Sequence, residues 1–581
     1  MALPAAAFDV QIRGELDEAL RVQLEGGSLL VEQAASEEAV SPQEIVSTAQ
    51  ADYQRLLAVL YDAGYFGAVI EIKLDGREAT SIPPVNPPSS VRQAVVTIRP
   101  GRVFRFGRAS IAPLAPGTDL PEGFATGQTA GLGLLKNTAS AGIDGWRDAG
   151  HARAELASQS LTARHAQQEI NADLVLAPGP RFRFGPLSVE GESTVRTKRI
   201  LEIAGLPEGE VFSPDELRAS GDRLRRTGAF SSVAMVEADG PVVGDALPVT
   251  VKVADAKPRR FGFGAELATL EGLTLSAFWM HRNLLGGAER LRFEGEIKGI
   301  GGETGGTDYR LETRFDRPAT FNEDTGFYAL TEIEQLDQVS FFSRQVTVEA
   351  GIERIASDQR SYRLGLGLRR AQTRDDFGEA DYTLLLVPAG ATFDYRDRPL
   401  DARRGYYADV EVSPFVALSG ADNGVLTTAD LRGYRTFGET NPTTLALRLQ
   451  FGSVAGPALN VAPADFLFYS GGGGTVRGHD FQSLGVDLGG GREVGGRSFL
   501  GLSAEMRFRT SGSLGYVGFI DAGYIGEESF PDGSGEWQSG AGVGLRYDTG
   551  IGPIRVDLAT ATSGNDDASS FQIYIGIGQS F

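Results

Sequence analysis

Two hydrophobic rhythms divide the chain near residue 258. Before it, short alternating runs are interleaved with segments of helical period. Phe8, Val10 and Ile12 alternate, and Arg183–Glu190, Ser232–Ala238 and Pro248–Asp255 read as strands. Ser41-Pro42-Gln43-Glu44 and Ser213-Pro214-Asp215-Glu216 each set a capping serine, a proline at the first helical position and a glutamate three residues after the serine. The first predicts a helix running to Gly64, with a strand over 67–74. The second opens a helix to Thr227 whose buried face carries Leu217 and Leu224. Thr194 is placed to cap an earlier helix over 195–204, stopped by Gly205.

This half repeats itself. Pro100–Gly107, Pro178–Gly185 and Pro258–Gly264 are variants of one Pro-Gly/Arg-Phe-Arg-Phe-Gly turn. A helix-ending glycine followed by a strand recurs at Gly64, Gly150 and Gly228. The period is roughly 80 residues, so three copies of a small β-α-α-β-β module are expected at 8–99, 100–180 and 181–257. In the middle copy the firm elements are the last two strands, near 151–158 and 168–176. Phe104, Phe106, Phe182 and Phe184 are expected to be strand residues packed at module junctions.

From residue 259 to 581 alternation takes over. Leu502, Ala504, Met506 and Phe508 share one face, and Glu505, Arg507 and Arg509 the other. Phe571, Ile573, Ile575 and Ile577 oppose Gln572, Tyr574, Gly576 and Gly578. Alternation alone fits a soluble sandwich or a membrane barrel with apolar residues on lipid. The length of the region favours a barrel of about 16 antiparallel strands. So does the terminal Phe581, in phase with the outward set.

Composition narrows the function classes. A net charge of −21 over 581 residues disfavours nucleic-acid binding. There is no cysteine, so disulfides, thiolate metal sites and cysteine nucleophiles are excluded. The 76 glycines suit many turns and bends in β-structure. No run approaches about 18 apolar residues, so no transmembrane helix is expected. Met1–Ala7 lacks the basic and apolar regions of a signal peptide and reads as a mature N-terminus behind an added Met1. The glycine run at 471–474 is followed by no Gly-Lys-Ser/Thr, the four histidines have no ligand spacing, and no Gly-x-Ser-x-Gly occurs. No enzyme, cofactor or metal is expected. Trp279 and His281 are placed near a strand end at the membrane interface.

Gly471–Phe481 reads Gly-Gly-Gly-Gly-Thr-Val-Arg-Gly-His-Asp-Phe, in a loop between strands. It resembles the signature loop of the Omp85 family of outer-membrane insertion and secretion barrels. Gly501–Arg507, Gly518–Gly523 and Gly542–Asp557 resemble later strands of that family, in order. The N-terminal modules resemble POTRA domains, and three of them resemble the TamA type. The family commonly has an aromatic after Arg-Gly, whereas this chain has His479.

The resemblance implies α+β periplasmic modules followed by an all-β transmembrane barrel in a bacterial outer membrane. It implies insertion of β-barrel clients such as autotransporters without ATP, with unfolded outer-membrane proteins, outer-membrane lipid and a TamB-like inner-membrane-anchored protein as partners. A secretion pore, or lipid transport with the TamB-like partner, is the alternative. The loop-anchoring motif is Val476, Arg477, Gly478 and His479. Asp521 shares a face with Phe519 and opposes Ile520, and Glu505 lies on the charged face of its strand. Both carboxylates therefore point inward, and Arg477 is expected to pair with Asp521 and then Glu505. The barrel seam is expected to involve Phe261, Gly262, Gly264, Gly576, Gly578 and Phe581. Its glycines either weaken the seam for lateral opening or relieve crowding in the lumen.

Overall fold

A computed structural model describes residues 8–36, 40–83, 85–268, 272–302, 305–438, 442–510, 512–550, 552–564 and 571–581. Met1–Ala7, read above as a mature N-terminus, lies outside the described residues. The chain forms two compact units: residues 1–187 with 207–218 and 237–249, and residues 188–206 and 219–236 with 250–581.

The first unit begins with a sheet ordered Asp9–Arg13, Gln93–Arg99, Val69–Leu74, Arg77–Glu78, its first two strands parallel. Helices Glu18–Gly27, Leu29–Ala35 and Pro42–Asp62 bury Leu24, Leu30, Leu56 and Leu60 with Ile72 of the sheet. Each such side chain contributes roughly 1.5–3 kcal/mol by leaving water. The Ser41–Glu44 capping box is formed in both directions. Fully buried Asp52 accepts hydrogen bonds from Ser28 Oγ at 2.6 Å and from the Leu29 and Leu30 N–H groups at 2.7 and 3.0 Å. These bonds serve the start of the second helix, where the chain breaks at Ser28.

The next sheet centres on Glu169–Ala177, between Arg105–Ala112 and Glu155–Arg164. Among the described residues of this copy one helix forms, Leu132–Asp148, where the repeat suggested two. Pro113, Pro116 and Pro121 explain the difference, because each removes an N–H and breaks helical continuity. Phe104, Phe106, Phe182 and Phe184 are all buried. Phe104 meets Phe66 of the preceding module edge-on at 5.8 Å, and the Arg153 guanidinium lies 5.3 Å over Phe182.

A third sheet centres on Ala246–Asp255, between Arg183–Glu190 and Phe230–Glu237, with helices Thr197–Ala204 and Pro214–Arg226. Gly205 ends the shorter helix in the left-handed conformation, φ 57°. Thr194 does not cap that helix. Its N–H and hydroxyl both donate to Asp255, at 2.7 and 2.6 Å, so it is held by the sheet and not by the helix start.

The second unit contains a closed antiparallel barrel. Gly378–Leu386 and Ala389–Asp394 pair with the same two neighbours and are halves of one strand, interrupted at Val387-Pro388, which makes sixteen strands. Closure settles the sandwich-or-barrel ambiguity. Leu502, Met506 and Phe508 are exposed outside, while Glu505 and Arg507 are buried inside. Arg199 donates to the Pro318 carbonyl at 2.6 Å, Arg223 to Asp324 at 2.9 Å, and the Arg196 N–H to the Gly286 carbonyl at 2.9 Å. The turns at 282–289 and 318–324 therefore lie at the module end of the barrel. Loops 338–341, 376–377 and 456–497 lie at the opposite end by antiparallel succession.

The seam is short. The first strand, Arg259–Ala268, meets the last, Phe571–Ile577, at Leu267–Ile575 and Ala268–Tyr574. Phe261, Gly262 and Gly264 pair instead with Trp279, Phe278 and Ser276 of the second strand. A Cβ on Gly262 would stand 2.1 Å from the Phe278 ring, so glycine there admits an aromatic neighbour. Gly576 is in the last strand, beyond the seam pairs, and Gly578 follows that strand with φ +92°.

Phe581 departs from its expected outward position. The strand stops at Ile577, the Gly578 N–H donates to the Pro553 carbonyl at 2.7 Å, and the chain turns inward. Phe581 is buried against Ala402, Tyr434 and Ala446, and Arg507 donates to its backbone oxygen at 3.0 Å.

Candidate functional site: a loop arginine buried in the barrel wall

The long loop at 456–497 folds back on the barrel interior instead of projecting into solvent. Local geometry begins this. Two short 3-10 turns, Leu459–Val461 and Ala464–Phe466, bring Phe466 edge-on to Phe415 at 5.3 Å. Asp465 next to it accepts from Arg369 at 3.0 Å and from the Tyr382 hydroxyl. Val476 and His479 are fully buried. Gly478 sits at φ +95°, and a Cβ there would stand 2.4 Å from the Thr560 backbone, so only glycine lets the loop lie this close to the wall. Gly540 meets the same need from the wall, with the Arg477 carbonyl oxygen 2.0 Å from where its Cβ would be.

Arg477, 3% exposed, gathers the acidic groups of three strands. Its Nε and Nη2 donate to the two oxygens of Asp521 at 2.7 and 3.0 Å, a bidentate fork. Its Nη1 donates to Glu505 at 2.8 Å and to Asp557 at 3.2 Å. The Phe519 ring lies under the guanidinium, 3.5 Å from Cζ to the ring centroid. The structure thus brings Arg477 together with Asp521, Glu505 and Phe519.

His479 takes a different contact from the stacking an aromatic would make. Its Nε2 lies 2.9 Å from the Ser539 carbonyl, which can only accept, so this nitrogen carries the proton.

Other residues of this cluster escaped the sequence reading. Asp557 also accepts from Arg546, and Glu505 also accepts from Arg507 Nε at 2.8 Å and Ser580 Oγ at 2.6 Å. Three arginines therefore face three carboxylates in a nearly dry setting, and removing one strands the others. The last strand joins in. Tyr574 accepts from the Gly478 N–H at 3.2 Å, and Gln572 donates to Asp480 at 2.8 Å. The signal for Asp557 and Tyr574 was present: both fall on the inward phase of their strands.

The three carboxylates of this network are taken up by arginines and the Ser580 hydroxyl. What the network can do is hold a loop against the wall and set the shape of the lumen. Comparisons with known proteins agree with that architecture. Residues 283–581 match the Omp85 superfamily domain, and residues 182–255 match the POTRA surface antigen variable number repeat. The fold is similar to that of BamA from Haemophilus ducreyi lacking POTRA domains 1–3, at 15% identity and TM-score 0.60, covering 80% of this chain and 99% of that one. It is also similar to CdiB from Acinetobacter baumannii, at 12% identity and TM-score 0.52, covering 82% and 90%. The domain match spans more than half of the sequence and contains the whole Arg477 cluster. The chain belongs to the Omp85 superfamily, with its barrel in the bacterial outer membrane and its POTRA region in the periplasm.

Proposed function

We propose that this protein is an outer-membrane assembly factor of the TamA type, which inserts β-barrel clients such as autotransporters through its barrel seam. The observation that carries this reading is the seam itself. Among the described residues the first and last strands share two paired positions, whereas the last strand shares seven with the strand before it. A client strand needs a backbone edge to pair with, because lipid cannot satisfy its N–H and C=O groups. A short seam supplies such an edge at little cost in hydrogen bonds. No ATP is required, since burial of client backbone and apolar surface in the bilayer is downhill. The Arg477 cluster keeps the rest of the wall in register while the seam opens.

The division into modules at 8–99, 100–180 and 181–257, ahead of a barrel at 259–581, belongs to the same proposal and supports the TamA type over other members. It implies a TamB-like inner-membrane-anchored partner for the modules. Secretion of a soluble client, or passage of envelope lipid, are the competing uses of the same scaffold.

The test is a disulfide across the seam, Leu267→Cys with Ile575→Cys, in a chain otherwise free of cysteine. The oxidised barrel should fail to insert clients into proteoliposomes, and reduction should restore insertion. Full insertion by a verified crosslinked barrel would reject the seam as the route. Unimpeded release of a soluble client by that barrel would favour the secretion pore.

A further inference from the structure

Outward-facing arginines stand mostly at the module end of the barrel: Arg259, Arg317, Arg354, Arg360 and Arg435. At the opposite end, among the described strand residues, they occur in one place. Arg344 of the sixth strand, Phe342–Ser357, lies across from Gln372 of the seventh, Arg360–Asp375. Arg370 and Arg374 flank Gln372 on the same outer face. Diagonal neighbours of this kind are about 7–8 Å apart.

The guanidinium groups are arranged unusually. Arg344 and Arg374 both lie over the Phe342 ring, 5.3 and 5.6 Å from its centroid. Arg344 also donates to Gln335 at 2.9 Å. Arg370 is exposed and makes no hydrogen bond or ion pair among the described residues. Three carboxylates share this rim: Asp337 opposite Phe342, Glu379 opposite Arg374 and Asp381 opposite Gln372. None forms an ion pair with the three arginines among the described residues. Two guanidinium groups converge on one ring, and none of the three arginines has a carboxylate partner among the described residues, so their N–H donors are open to an anion despite the nearby acidic residues.

An apolar groove leads into it. Its volume is about 1300 Å³ and it runs between two rows of outward side chains across the first seven strands. Leu275, Ile297 and Leu311 line it, Gly295 deepens it, and Arg344 and Arg370 stand at its far end. A Cβ on Gly295 would meet nothing within 4 Å, so the groove is open there. Below the arginines the outer face is apolar, through Val346 and Val348 on one strand and Leu368 and Leu366 on the next.

We propose that this face binds a phosphorylated lipid of the outer leaflet, its headgroup phosphate held by Arg344, Arg370 and Arg374 and an acyl chain seated in the groove. Guanidinium forks match phosphate oxygens in pairs. The apolar run beneath the arginines selects a lipid phosphate over a free one. The modules mark the periplasmic end, so the opposite end of the wall faces the outer leaflet. The site lies on the lipid side of the wall and is separate from the Arg477 cluster inside it.

The full chain in detergent would be given diphosphoryl lipid A, or the same lipid stripped of both phosphates, and retained lipid measured by native mass spectrometry. The wild-type barrel should retain the phosphorylated form about tenfold more tightly. Arg344→Gln with Arg374→Gln should abolish that preference, while Arg354→Gln with Arg360→Gln, the same charge change at the other end of the same strands, should keep it. Gly295→Leu, whose Cβ meets nothing within 4 Å and whose side chain would occupy the groove, should lower retention yet keep the preference. The proposal is overturned if the first double variant keeps the preference. It is also overturned if Gly295→Leu has no effect, or if equimolar inorganic phosphate displaces the lipid.

Discussion

The last strand has two neighbours and is held by them in different ways. Toward the strand before it, seven residues are paired, and its inward side chains Gln572 and Tyr574 reach the loop at Asp480 and Gly478. Toward the first strand, among the described residues, only Leu267–Ile575 and Ala268–Tyr574 are paired, and Arg555 to Glu266 at 2.7 Å is an ion pair that bridges toward the first strand from the strand before the last. The sheet is closed in both directions, so closure by itself says little about strength. Hydrogen-bond register and the side chains behind the wall decide where the barrel can part.

Arg477 is the largest lever on that difference. Arg477→Ala should destabilise the anchored side by about 3–5 kcal/mol, because it leaves Asp521, Glu505 and Asp557 buried without their shared cation. Denaturant unfolding of the detergent-solubilised barrel would measure this. Asp521→Ala should cost a similar amount, and the double variant should be little worse than either single one. Strictly additive losses would mean that the two residues act separately.

Tyr574→Phe sharpens the comparison. It removes the acceptor of the buried Gly478 N–H, an expected loss of roughly 1–3 kcal/mol, and should loosen the last strand without touching the arginine. Arg310→Ala provides the contrast within the lumen. That side chain is 37% exposed and pairs with Glu332 and Glu312 in contact with water, so its loss should cost less than about 1 kcal/mol. Equal costs for Arg310 and Arg477 would show that the lumen arginines are interchangeable.

The smallest effect concerns the joint between the third sheet and the barrel. Burial opposes the charge of Asp255, but hydrogen bonds from Ser193 and Thr194 outweigh it and hold the carboxyl below its usual range. The stabilisation is therefore complete above the unfolded-state pKa and fades as pH falls through the lower folded value. Protease sensitivity at residues 191–196 should rise on acidification, and Asp255→Asn should be sensitive already at neutral pH.

The inward carboxylates were legible because strand side chains alternate with a period of two, so one assigned face fixes the rest. That logic placed Asp521, Glu505 and Phe519 on the wall facing Arg477. It failed for Phe581, because the turn after Gly578 ends the alternation and the new position depends on Tyr434 and Arg507, distant in sequence. Seam register was equally hidden. Phe261 and Gly262 belong to the first strand as read, but which residues face the last strand depends on the stagger of the whole barrel. Thr194 looked like a helix cap, and Asp255, more than sixty residues away, claimed its hydroxyl instead. The groove leading to Arg344 and Arg370 could not be seen at all before seven strands were aligned.

Backbone amide hydrogen exchange on the full chain in a bilayer tests the central claim most directly, by comparing the anchored edge of the last strand with the first-strand edge that faces it across the seam. Amides of the last strand paired with Ile554–Thr560 should be strongly protected, and those of Arg259–Glu266 that face the last strand should exchange at least about a hundredfold faster, as expected for a local opening well below the global stability. Equal protection of these two sets of amides would contradict the account, because the seam would then be as firmly closed as the rest of the wall.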